Sequence, residues 1–190
     1  IDKAAESITK AVSDLKKEIK GTWQKNAKGW WYDYGNGKWP TGKWELIEGK
    51  WFAFDADGYM RTGWFREGNT WYYLTGSGAM ATGWIKPGSD WYYMTSSGAM
   101  ATGWIKPDNS WYYLNASGTM ATGWLHLNNN WYYLNASGRM ATGWIQLGSS
   151  WYYLTNSGSM ATGWLKDGDN WYYLTASGRM ATGWLRLGNS

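Results

Sequence analysis

Cysteine is absent from this 190-residue chain, so neither disulfides nor thiolate metal sites contribute to it. Histidine is almost absent: His126 stands alone in a variable polar segment, where a surface role fits better than a catalytic one. Carboxylates such as Glu45, Glu48, Asp55 and Asp57 fall at turn or loop positions, which turn formation explains, and the many serines lack a base partner. No stretch approaches the roughly 18 apolar residues of a membrane span, and direct membrane insertion is not expected. The first 20 residues carry alternating charges where a signal peptide would have an apolar centre, so any export signal would lie outside this chain. Leucine, isoleucine and valine are scarce, which argues against a conventional single-core domain. The net charge is +4 and the pI about 9.1, but the basic residues never form a run. Such mild basicity serves solubility and suits a polyanionic surface; it does not supply the continuous basic groove that nucleic acid needs.

What the chain does have is aromatic: 19 tryptophans and 15 tyrosines, with 26 glycines. They are periodic. From Gly63-Trp64 onward the Gly-Trp pair returns every 20 residues up to Gly183-Trp184, and a Trp-Tyr-Tyr triplet starts at 71, 91, 111, 131, 151 and 171. An unbroken register of this kind means stacked copies of one small unit.

Residues 1–20 differ in kind. Ile1, Ala5, Ile8, Val12, Leu15 and Ile19 alternate at spacings of four and three, with Lys3, Glu6, Lys10 and Asp14 on the other faces, which predicts an amphipathic helix ended by Gly21. Too short to be stable alone, it reads as a linker or the stub of a preceding domain. The remainder, 22–190, reads as all-β. Trp71-Tyr72-Tyr73-Leu74 is a strand, Thr75-Gly76-Ser77-Gly78 a turn and Ala79-Met80 the start of a returning strand, with segments such as Lys86-Pro87-Gly88-Ser89-Asp90 as exposed connectors. Strands beginning at Trp31, Trp51 and every 20 residues thereafter predict eight hairpins, the first two degenerate. A single hairpin is barely stable in water, so the units must bury their rings against sequence neighbours in a solenoid, with pockets at the junctions.

Leucine would fill such junctions as well as tryptophan does. Indole, phenol and thioether at fixed positions instead offer π faces and a polarisable sulfur, a set suited to a quaternary ammonium ion, which cannot donate a hydrogen bond and is held by cation–π attraction. The run Thr62-Gly63-Trp64, Trp71-Tyr72-Tyr73-Leu74, Gly78-Ala79-Met80 and Thr82-Gly83-Trp84 resembles the choline-binding repeat of streptococcal and pneumococcal-type surface proteins and phage lysins, over roughly residues 22–190. The resemblance implies a superhelical array of hairpins, secreted and held on a Gram-positive cell wall by phosphocholine on teichoic and lipoteichoic acids. It also implies sites made of two tryptophans from one repeat, a tyrosine from the next and a methionine nearby.

Carried onto this sequence, the sites would be Trp44, Trp51, Tyr72 and Met80; Trp64, Trp71, Tyr92 and Met100; Trp84, Trp91, Tyr112 and Met120; Trp104, Trp111, Tyr132 and Met140; Trp124, Trp131, Tyr152 and Met160; and Trp144, Trp151, Tyr172 and Met180. Which tyrosine of each pair faces the ligand stays open. A further set, Trp23 and Trp31 with Phe52 and Met60, has a spacing of eight where the others have seven. Trp164 and Trp171 have no Trp-Tyr-Tyr after them, a half-cage that a second copy could close, as could pairing through the 1–20 helix. The expectation is therefore a binding module, not an enzyme, with choline or phosphocholine as ligand, no cofactor, and any catalytic or adhesin domain outside this chain. A glucan-type carbohydrate-binding repeat is the rival reading and a passive stalk the third; against the first of these, the recurring positions are nearly all apolar, whereas sugars want nearby polar groups.

Overall fold

The computed structural model describes residues 21–184. The helix expected over 1–20 and the last six residues lie outside them. Among the described residues the sixteen elements are all β-strands, in eight two-stranded antiparallel hairpins of consecutive strands. In chain order the hairpins are β1 (Thr22–Lys25) with β2 (Trp30–Asp33), β3 (Trp44–Ile47) with β4 (Lys50–Ala53), β5 (Gly63–Glu67) with β6 (Thr70–Leu74), and β7 (Gly83–Ile85) with β8 (Tyr92–Met94). They continue as β9 (Gly103–Ile105) with β10 (Tyr112–Leu114), β11 (Gly123–Leu127) with β12 (Asn130–Leu134), β13 (Gly143–Leu147) with β14 (Ser150–Leu154), and β15 (Gly163–Asp167) with β16 (Asn170–Leu174).

The hairpins are framed differently from the sequence reading. From the third onward, each pairs a Gly-Trp strand with the following Trp-Tyr-Tyr strand, so the variable segments taken for connectors are the hairpin turns. Their chemistry is that of two-residue loops. Glu48-Gly49 and Asn128-Asn129 hold positive φ at both positions (49° and 78°; 49° and 62°), and a glycine leads at 68, 148 and 168. Where Pro87 and Pro107 occupy this segment, β7 and β9 stop at Ile85 and Ile105, because proline has no N–H to continue the ladder. The Thr75–Gly78 segment is a tight turn, with the Gly78 N–H donating to the Thr75 carbonyl at 2.8 Å, but the returning chain pairs only briefly, through the isolated bridge Leu74↔Met80.

The returning methionine makes a second bond backward. The Met80 N–H donates to the Trp51 carbonyl at 2.7 Å, and the same bond joins Met140 to Trp111, Met160 to Trp131 and Met180 to Trp151. Each repeat is thereby hydrogen-bonded to the one before it. Strand alternation does the rest: Trp131 and Tyr133 project from one face of their hairpin, and Tyr132 and Leu134 from the other. Leu74, Met94, Leu114, Leu134, Leu154 and Leu174 are wholly buried, one apolar residue per repeat.

The described residues fall into two compact units, one comprising 21–83 with Met94–Met100 and the other Trp84–Tyr93 with 101–184. The first has an additional cluster, Ile47, Phe52 and Phe54, against which Trp23, Tyr32 and Met60 pack. It also holds a surface ion pair: Glu45 receives Lys43 at 2.8 Å and the Tyr34 hydroxyl at 2.9 Å. Burial acts to raise the Glu45 pKa, but the Lys43 and Tyr34 hydrogen bonds outweigh it and hold the carboxyl below its ordinary range.

Candidate functional site

The second unit contains three clefts of one design. The first is lined by Trp84, Trp91, Tyr112 and Met120, the second by Trp104, Trp111, Tyr132 and Met140, and the third by Trp124, Trp131, Tyr152 and Met160. In each, the two tryptophans of one hairpin meet edge to face. Trp104 and Trp111 have centroids 6.4 Å apart at 88°, and Trp124 and Trp131 are 6.3 Å apart at 88°. The first tryptophan also meets the first tyrosine of the next repeat, Trp84 to Tyr112 at 4.9 Å, Trp104 to Tyr132 at 5.1 Å and Trp124 to Tyr152 at 5.0 Å. The second tyrosine stays within its own hairpin, as Tyr113 does against Trp104 at 5.2 Å. Of each pair it is therefore the first tyrosine, Tyr112, Tyr132 or Tyr152, that lines these three clefts.

The clefts are not filled by side chains. Their volumes are about 540, 360 and 310 Å³, in the range of small-ligand sites, and Trp91, Trp111 and Trp131 each remain 42% exposed at their walls. Methionine forms one boundary, pinned by its backbone bond to the preceding tryptophan. Above it lies the turn of the following repeat: a Cβ on Gly138 would collide with the Met120 sulfur, and one on Gly158 with the Met140 sulfur. That turn brings in residues the sequence reading missed. Ala136, Ser137 and Arg139 line the first cleft, Ser157 the second, and Ala176 and Ser177 the third. Their only signal in the sequence is the interval from Trp91 to Ser137, repeated from Trp111 to Ser157 and from Trp131 to Ser177.

The remaining expected sets are placed as follows. Trp144 pairs with Trp151 at 6.4 Å and Tyr172 at 4.8 Å, with Met180 bonded to the Trp151 carbonyl; the Trp144 indole N–H donates to Asp167 at 2.8 Å. Trp44 lies 5.0 Å from Tyr72 and donates to Glu67 at 3.0 Å, while Trp51 takes the Met80 N–H. Trp64 and Trp71 meet at 6.2 Å and 89° in the first unit, where the Met100 N–H bonds to the Trp71 carbonyl; Tyr92 belongs to the second unit. Trp164 and Trp171 form the same edge-on pair at 6.3 Å and are 60% and 62% exposed.

One further cleft, of about 500 Å³, lies in the first unit and corrects a sequence assignment. It is lined by Trp23, Trp30, Phe52 and Met60, and Trp31 is not its second tryptophan. Trp23 pairs with Tyr32 and Lys25 with Trp30, as Trp124 pairs with Tyr133 and His126 with Trp131. Trp30-Trp31-Tyr32 is thus the triplet, with tryptophan in the place of its first tyrosine, and the spacing Trp23 to Trp30 is the regular seven.

Cations of the protein already use these rings. Lys25, Arg66, Lys86 and Lys106 lie over Trp30, Trp71, Trp91 and Trp111 at 5.3, 5.9, 5.6 and 5.7 Å from the ring centroids. Two cages also carry an arginine on their tyrosine: Arg139 Nε donates to the Tyr112 hydroxyl at 3.1 Å, and Arg179 Nε to that of Tyr152 at 3.3 Å. The Tyr112 hydroxyl in turn donates to Asp108 at 3.0 Å. Asp108 is held below its usual pKa first by the Ser110 backbone N–H and then by Tyr112 and Arg139, whose combined effect outweighs desolvation. Among the described residues no group of three histidine, cysteine, aspartate or glutamate side chains is placed to hold a metal ion.

Known proteins share this arrangement. The family model for the choline-binding repeat matches residues 41–82, 81–122, 121–162 and 141–184. Among solved structures, CbpJ from Streptococcus pneumoniae is 40% identical with a TM-score of 0.74, over 85% of this chain and 64% of that one. Choline binding protein F from Streptococcus pneumoniae, solved in the presence of a peptidoglycan analogue, is 42% identical with a TM-score of 0.72, over 80% of this chain and 55% of that one. The lysin of Pneumococcus phage Dp-1 is 49% identical over 45 residues, 23% of this chain and 15% of the lysin. The chain thus spans less than two thirds of the length of these relatives. With the repeat matched over most of its length and the same hairpins seen in solved relatives, the chain belongs to the choline-binding repeat family.

Proposed function

We propose that the chain binds choline head groups in its aromatic cages and so anchors its bearer, noncovalently and outside the cell, to phosphocholine-bearing teichoic and lipoteichoic acids. The observation that carries this reading is the repeated open cleft walled by two perpendicular indoles, one phenol ring and a thioether. A trimethylammonium group has no N–H to satisfy, so a mostly apolar site leaves none of its hydrogen bonds unmade, while each ring contributes about 0.5–2 kcal/mol. Three rings supply about 4 kcal/mol, a millimolar site. Such sites repeated along one chain and facing a polymer with many ligands raise avidity by about 10² to 10⁴ through effective concentration.

Calorimetric titration with choline chloride tests the reading. Saturable heat at several equivalents per chain is expected, and tens of millimolar free choline should release the protein from a choline-bearing wall. Heat with soluble glucans and none with choline would move the protein to the carbohydrate-binding reading. Silence with both would leave a passive stalk.

A further inference from the structure

We infer that Arg139 and Arg179 form an anion subsite beside two of the cages, taking the phosphate ester joined to the choline that each cage holds. The inference rests on the choline reading and deepens it from choline to a choline phosphoester. Arg139 is part of the lining of the Trp84–Trp91 cleft and donates through Nε to Tyr112 at 3.1 Å. Arg179 does the same to Tyr152 at 3.3 Å, from the turn whose Ala176 and Ser177 line the Trp124–Trp131 cleft. Each guanidinium comes from the repeat after the one that supplies the tyrosine.

A fixed positive charge at the mouth of a cation site opposes bare choline, in full at Arg179 and in part at Arg139, where the Asp108 carboxylate offsets some of it. The same charge favours a ligand that carries its negative group two carbons from the ammonium. The Nε bond commits one of the five N–H donors of arginine. The Asp108 carboxylate lies 3.9 Å from Arg139 Nη2, beyond hydrogen-bond length, so the terminal N–H groups keep their capacity for a phosphate, whose oxygens match the planar fork. Arg179 has no counterpart of Asp108, because the equivalent position is Gly148. The middle cage, Trp104 with Trp111 and Tyr132, is an internal control: the position of Arg139 is there Ser159, which bonds Thr155 at 2.8 Å.

A purely structural role for the arginines is the competing account, since Tyr112 and Tyr152 beneath them are only 5% and 9% exposed. Calorimetry on the full chain separates the two. Choline chloride, phosphocholine and glycerophosphocholine are each titrated into the wild type, the double variant Arg139→Gln/Arg179→Gln, and Ser159→Arg. In the wild type two sites should prefer both phosphoesters over choline by about three- to ten-fold, a preference that narrows with salt. The double variant should bring that ratio to about one, and Ser159→Arg should add one site to the preferring class. A ratio untouched by the double variant, with Ser159→Arg adding nothing, overturns the subsite. Should the double variant lose its fold, Ser159→Arg alone decides. Absence of choline heat in the wild type instead overturns the choline reading and the subsite with it, an outcome distinct from failure of the subsite, which leaves choline heat intact.

Discussion

Met160 is held between Trp131 and Gly178: its N–H donates to the Trp131 carbonyl at 2.7 Å, and its sulfur occupies the space that a Cβ on Gly178 would need. One residue therefore ties three consecutive repeats together. Gly178 is required twice over, by that contact and by its φ of 77°. Gly178→Ala should cost about 2–4 kcal/mol in urea unfolding, the sum of about 1–2 for a left-handed alanine and a comparable overpacking cost. Gly148→Ala is the comparison, because Gly148 has φ 62° with nothing within 4 Å, and should show the conformational cost alone. Equal losses in the two variants would refute the methionine contact.

Trp91→Ala should remove one choline site while leaving the fold standing. The ring is 42% exposed, and the bond from the Met120 N–H goes to the backbone carbonyl of residue 91, which alanine retains. The expected result is choline stoichiometry lower by one with a stability loss of about 1 kcal/mol. Unchanged stoichiometry would exclude Trp91 from a cage.

Leu134→Ala should do the reverse. The side chain is wholly buried, so its truncation costs about 2–5 kcal/mol, yet it lines none of the clefts described above. Denaturation midpoints should fall sharply, while choline affinity measured below the transition stays as in the wild type. A selective loss of affinity without loss of stability would contradict this division of labour between the two faces of the hairpin.

The Glu45 carboxylate predicts an acid-sensitive increment of stability. Its folded pKa lies below that of the unfolded chain, so the contribution is complete above the ordinary carboxylate range and disappears as pH falls through the folded value. Unfolding titrations of wild type and Glu45→Gln should differ at pH 7 and converge in acid. A difference that grows toward low pH would reverse the assigned sign.

Much of this molecule was legible in its sequence because the 20-residue register is unbroken from Gly63 onward. Each ring set of the three clefts in the second unit is brought together by the structure as the spacing and the resemblance grouped it. The hairpin boundaries were misread for a physical reason: Gly78 and its equivalents look like hairpin glycines, whereas they close a local turn at positive φ and also make room for the methionine sulfur of the preceding repeat, a contact no local pattern announces. Trp31 was taken in place of Trp30 because tryptophan occupies a tyrosine position of that triplet, and only the pairing of Lys25 with Trp30 resolves the phase. Ser137, Ser157 and Ser177 were invisible for want of chemistry; they matter only through where the turn carries them.

Because the indole pair, the phenol and the overhanging turn of a cage come from three successive modules, valency does not grow in proportion to length from the first copy. An array of n such modules completes n minus two compartments. Duplication of a whole 20-residue segment inserts one finished compartment and leaves its neighbours as they were, so the number of compartments can change in integer steps by recombination within the gene, without altering any single residue.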